Sequence, residues 1–139
     1  MAKSDKDEEF DSPNWVFSDL TRNQKLAIIN FLSVIAASDA NVKISDVEFA
    51  FISYYYKEFG IAGDQYLAYL SIGGRERTIT EIKNLSKENM QELVYATTEM
   101  CNCTGELNED EFLAILNWLE PIGMTIKEWN DILENPDSY

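Results

Sequence analysis

Four short polar signatures constrain this chain more than any other feature. Thr21-x-x-Gln24, Ser45-x-x-Glu48, Asn108-x-x-Glu111 and Thr125-x-x-Glu128 all have the form of a helix-opening capping box. In such a box the first side chain accepts from the backbone N–H three residues on. The amide or acid there reaches back to the N–H of the first residue. Each signature precedes apolar residues at helical spacing, and sustained strand alternation with hairpin turns is absent from the sequence. The chain therefore reads as all-α.

The run after Thr21 holds Leu26, Ile28, Ile29, Phe31, Leu32, Val34 and Ile35. It is apolar on several faces, so its helix belongs deep in a bundle. The run after Ser45 passes through Phe49, Ile52, Tyr55 and Tyr56 and stops at Gly60. A shorter helix is expected from Asp64 through Tyr66, Leu67 and Leu70, ending before Gly73-Gly74, and another over residues 78–85. Ser86 caps a helix with Met90, Leu93, Val94, Thr97 and Met100 on one side. The Asn108 helix carries Phe112, Leu113, Ile115, Leu116 and Leu119 and ends near Pro121 and Gly123. The last helix carries Ile126, Trp129, Ile132 and Leu133. Gly73-Gly74-Arg75-Glu76-Arg77 lacks the phosphate-loop frame and a preceding strand, and reads as a flexible connector.

A shift of 63 residues lays the chain on itself without a gap. Ile44 to Phe49 fall on Leu107 to Phe112, Ile52 on Ile115, Gly60 on Gly123, Tyr66 on Trp129 and Leu70 on Leu133. The pattern predicts two pseudo-repeated helical units, about 26–70 and 89–133, in a single domain over 15–139. Residues 1–14 are acidic with one aromatic before Trp15, and are expected to form a disordered tail. Trp15, Val16 and Phe17 would dock that tail on the domain.

Thr104-Gly105-Glu106-Leu107-Asn108-Glu109-Asp110-Glu111 and Asn41-Val42-Lys43-Ile44-Ser45-Asp46-Val47-Glu48 resemble the paired A-D-G-x-[I/V]-x-x-x-E signature of the TerB-like, tellurite-resistance type of helical domain. The similarity runs from about 23 to 133. Thr104 and Asn41 stand where that signature has aspartate, and Val42 where it has glycine. The resemblance implies a compact bundle of about seven helices, a loose association with stress responses, and cation binding at the paired loops. Asp39, Asn41, Glu48, Asn102, Thr104, Glu106 and Glu111 are the candidate ligands. On a calcium-loop frame the first ligand position falls on Ala37 and Met100, whose side chains supply no oxygen. The expectation is that Glu48 and Glu111 act as capping acids on exposed helix starts, with at best a weak calcium or magnesium site. Glu106, Glu109, Asp110 and Glu111 read together as solvated acids at a helix N-terminus.

The absence of histidine removes Ser-His-Asp and Cys-His nucleophile systems and His-ligated zinc. Cys101 and Cys103, the only cysteines, cannot complete a zinc site and read as reduced thiols. The chain is expected to be non-catalytic and to carry no cofactor. A formal net charge of −14 opposes nucleic acid and anionic membrane surfaces. No apolar run reaches the roughly 18 residues of a bilayer span, so membrane insertion is not expected. A cytoplasmic interaction domain follows, with a protein partner or a second copy of itself. Tyr54, Tyr55, Tyr56, Tyr66, Tyr69, Trp118 and Trp129 are mostly core, with one or two exposed tyrosines as candidate anchors. Backbone amides of residues 1–11 should exchange with solvent faster than those of the core loops; slower exchange would contradict the disordered tail.

Overall fold

The computed structural model describes residues 17, 19–37, 46–102 and 109–134. Among them are seven helices and no strand: α1 (Arg22–Ala36), α2 (Asp46–Phe59), α3 (Gly63–Ser71), α4 (Gly74–Lys83), α5 (Lys87–Asn102), α6 (Glu109–Ile122) and α7 (Ile126–Glu134). The chain is an all-α bundle, as its capping pattern requires. None of the described helices is long and apolar enough to cross a membrane. The expected tail, Trp15 and Val16 lie outside the described residues. Phe17 meets Tyr55 and Phe59 edge-on at ring distances of 5.8 and 6.0 Å.

α1 is the central element. Residues Leu26 to Leu32 are buried without interruption, so the helix is enclosed on every side along two turns. Its start is held by the Thr21 box: Gln24 N donates to Thr21 Oγ1 at 3.1 Å, and Thr21 N donates to Gln24 Oε1 at 2.9 Å. α1 packs most extensively on α4 and also meets α2, α5 and α6. The same kind of box opens α7, with Thr125 N donating to Glu128 Oε1 at 2.8 Å. Glu128 N returns a bond to Thr125 Oγ1 at 3.1 Å. Ser86 Oγ accepts from Asn89 N at 3.1 Å and caps α5. The residues that would cap α2 and α6, Ser45 and Asn108, lie outside the described residues.

α2 and α6 end in the same way. Ile61 N donates to Tyr56 O and Gly60 N to Lys57 O, at 3.0 and 3.2 Å. Met124 N donates to Leu119 O and Gly123 N to Glu120 O, both at 3.0 Å. These are paired Schellman closures, and they need a left-handed residue at the turn. Gly60 and Gly123 supply it with φ of +67° and +79°.

The expected connector at Gly73–Arg77 is instead the corner and first turn of α4, which begins four residues earlier than its weak apolar pattern indicated. Gly74 is buried, and a Cβ there would lie 3.0 Å from Leu70 Cδ2, so a larger residue would have to push the Leu70 side chain aside. Two arginines fix the turn rather than freeing it. The Arg75 guanidinium sits 4.5 Å from the Trp118 ring centre, and that of Arg77 5.2 Å from Tyr69.

One buried polar chain joins α1, α3 and α4. Thr78 Oγ1 donates to Asn30 Oδ1 at 2.7 Å. Its single proton is thereby used, so Tyr69 OH donates to Thr78 Oγ1, at 2.8 Å. Asn30 Nδ2 donates to Tyr66 OH at 3.1 Å. Burial raises the Tyr69 phenol above its ordinary range, and the Arg77 guanidinium pulls it part of the way back. Thr78→Val keeps the shape but strands Asn30 Oδ1 and Tyr69 OH. It should cost about 1–3 kcal/mol in urea unfolding. Thr80→Val on the exposed face should stay within about 0.5 kcal/mol, and equal costs would deny the network its role.

Candidate functional site

α2 and α6 begin with an inversion. Glu48 and Glu111 are buried, 4 % and 2 % exposed, while the next residues, Phe49 and Phe112, are 64 % and 39 % exposed. This corrects two expectations. The glutamates do not stand on exposed helix starts, and Glu111 does not belong with the solvated acids. Of its neighbours, Glu109 is exposed and Asp110 half-buried. Phe49 lies outside the core stripe in which its spacing placed it. The reason is rotational. Ile52 and Tyr55 face inward on α2, and Glu48 lies four and seven residues before them, whereas Phe49 is turned about 100° away. On α6, Ile115 and Trp118 orient Glu111 by the same spacing.

Carboxylates placed inward at a helix N-terminus meet backbone N–H groups and the positive end of the helix dipole. Chemically, such carboxylates can hold the connecting loop or a cation. The other candidate ligands cannot be placed beside them. Asp39, Asn41, Thr104 and Glu106 lie outside the described residues, and Asn102 is described only as the last residue of α5. Among the described residues, no group of three or more Asp, Glu, Cys or His side chains is arranged to hold a metal. Cys101 is a buried thiol near the end of α5, and Cys103 lies outside the described residues.

The aromatics divide differently from expectation. Tyr55, Tyr69, Trp118 and Trp129 are buried, and Tyr54, Tyr56 and Tyr66 are half-buried, so none of these tyrosines stands exposed as an anchor. Besides Phe49 and Phe112, the large apolar side chains exposed among the described residues are Leu67 and Ile72 at 66 % and 63 %, with Val34, Leu70 and Leu113 less so. Beside α2, Phe17, Lys25, Tyr54, Tyr55, Glu58 and Phe59 line a cleft of about 250 Å³. Burial raises the Tyr54 phenol, with Glu58 adding to the effect. Sequence reasoning passed over Glu92 and Glu99 on α5, each half-buried with one carboxylate oxygen withdrawn from solvent.

No family model, no curated protein and no solved structure matches this chain.

The burial of Glu111 has a direct consequence for stability. Glu111→Ala should cost about 1–3 kcal/mol in chemical denaturation, as the loss of a buried polar group does. Glu109→Ala, two residues earlier and exposed, should change stability by no more than about 0.5 kcal/mol. A Glu111→Ala variant as stable as Glu109→Ala would refute the inward assignment.

Proposed function

We propose that the chain is a non-catalytic helical interaction domain of the TerB-like type, made of two copies of a three-helix unit with α4 between them. The observation that carries the interaction reading lies on α3. Leu67 and Leu70 share one face at a spacing of three residues, and Ile72 follows at the C-terminal end. Three large aliphatic side chains exposed within six residues form a surface suited to another protein or a second copy of the chain. The duplication is supported by helix bounds. α2 and α6 open at Asp46 and Glu109, α3 and α7 at Gly63 and Ile126, and each pair closes in the same register, 63 residues apart. A cytoplasmic location and an association with stress responses belong to the same reading, the latter resting on the signature residues alone.

A second reading, a weak divalent-cation binder using the loops before α2 and α6, is favoured by one observation. The two glutamates closing those loops are both turned inward. Calcium titration of the Glu48→Gln/Glu111→Gln pair separates the readings, because interaction through α3 does not need either acid.

Leu67→Ser with Ile72→Ser should leave the melting temperature within a few degrees, since both side chains are exposed. The pair should abolish concentration-dependent association in sedimentation velocity. Association unchanged by the two serines, or a wild-type chain that stays monomeric and binds no apolar dye, would count against the α3 surface.

A further inference from the structure

The cleft beside the end of α2 is walled by aromatic rings and edged with charge. Its base is the Tyr55 ring, which is almost wholly buried. Three half-buried rings stand around it: Tyr54 at 5.3 Å, Phe59 at 5.5 Å and Phe17 at 5.8 Å between centres. All four line one cavity of about 250 Å³. Helical periodicity explains how α2 supplies three of them. Tyr55 and Phe59 lie four residues apart in one row of the helix surface, and Tyr54 and Glu58 form the adjoining row. The segment before α1 supplies the rest. Asp19 takes the left-handed conformation with φ of +58°, which a short polar side chain tolerates, and Phe17, Asp19 and Leu20 reach the same cleft around it.

Ring contact alone would dock that segment on α2, and rings that close on one another gain dispersion contact by doing so. Here they leave a space instead. A cavity of about 150 Å³ already admits a benzene ring, so this one has room for a ring with a substituent.

The charge on the walls decides what kind of ligand fits. Asp19 and Glu58 are exposed acids, and Lys25 of α1 is the one base among the lining residues. Among the described residues no ion pair joins Lys25 to either acid. The cleft therefore combines net negative charge with aromatic rings. Ring faces attract cations through their quadrupole, more strongly as the cation loses water. An anion would meet two carboxylates, and a neutral ligand would use neither. A metal ion would need a shell of oxygen ligands, which ring faces do not supply. The formal net charge of −14 adds a field that gathers cations at the surface. We propose that this cleft binds a small organic cation, a primary or methylated ammonium on an apolar body about one ring in size. Its charge lies by Asp19 and Glu58 and its body against Phe17, Tyr54 and Phe59. The site is separate from the exposed α3 side chains and from the loops closed by Glu48 and Glu111.

Amide-correlation NMR of the full chain, at neutral pH and constant ionic strength, tests the assignment with three probes of similar shape: benzylammonium, benzyl alcohol and benzoate. Benzylammonium should bind with a Kd of about 1–10 mM, as its few heavy atoms allow, and should shift the amides of the cleft residues most. Benzyl alcohol should bind at least about fivefold more weakly for want of the charge, and benzoate more weakly still. Asp19→Asn with Glu58→Gln should weaken benzylammonium about three- to tenfold, the loss of two exposed charge contacts. Both positions are exposed, so the variant should fold as wild type does. Lys25→Gln should tighten benzylammonium by up to about fivefold, because a repelling charge has gone. Leu67→Ser with Ile72→Ser should bind it as wild type does. The proposal is overturned if about 50 mM benzylammonium moves no amide of the cleft, far above what such a ligand needs. It is equally overturned if benzyl alcohol binds as tightly, or if the acid-pair variant binds benzylammonium unchanged. Benzoate binding that is the tightest of the three and is lost in Lys25→Gln would also overturn it and make the cleft an anion site.

Discussion

The enclosure of α1 is the constraint on which the rest of the bundle depends. Seven consecutive buried residues leave it no solvent face along its middle, so neighbouring helices must be arranged around it. Within that stretch Asn30 is the only polar side chain, and its amide cannot be left bare at acceptable cost. Thr78 of α4 and Tyr66 of α3 bond to it, and Tyr69 completes the chain through Thr78. Apolar contact alone would let α4 rotate or slide on α1. The bonded amide fixes both choices, because only one register brings the Thr78 hydroxyl to Asn30 Oδ1.

α4 owes its position to features that do not register as hydrophobic patterning. Its inward residues include Gly74, Thr78 and Ile82, and its first turn presents two arginines to aromatic faces. A glycine pair followed by charges has the composition of a loop. In the fold the missing Cβ of Gly74 admits Leu70, and the planar guanidinium of Arg75 covers Trp118. The second interaction needs a surface that comes from a distant helix, so no local window of sequence contains it.

Glu48 and Glu111 illustrate a second way in which local reading goes astray. A glutamate three residues after a cap is naturally assigned to solvent, and the phenylalanine after it to the core. The helices reverse that order because the inward direction is set further along, at Ile52 with Tyr55 and at Ile115 with Trp118. A helix is a rigid rotor. Once two turns of strongly apolar side chains are buried, the orientation of the first turn follows. α5 obeys the same rule: Glu92 and Glu99 are half-buried because Leu93, Ala96 and Met100 beside them are wholly buried.

The sequence by itself determined the helical class, the approximate bounds of most helices and the way several of them start and stop. Those properties rest on interactions within a few residues: the boxes at Thr21 and Thr125, the cap at Ser86, and the left-handed closures at Gly60 and Gly123. Backbone N–H and C=O groups at a helix end need partners, and the nearest side chains or glycines provide them. The tertiary structure alone decided which of two adjacent side chains turns inward and what the Gly73-Gly74 corner is for. Those outcomes depend on the summed burial of distant apolar surfaces, a quantity that exists only once the helices have met.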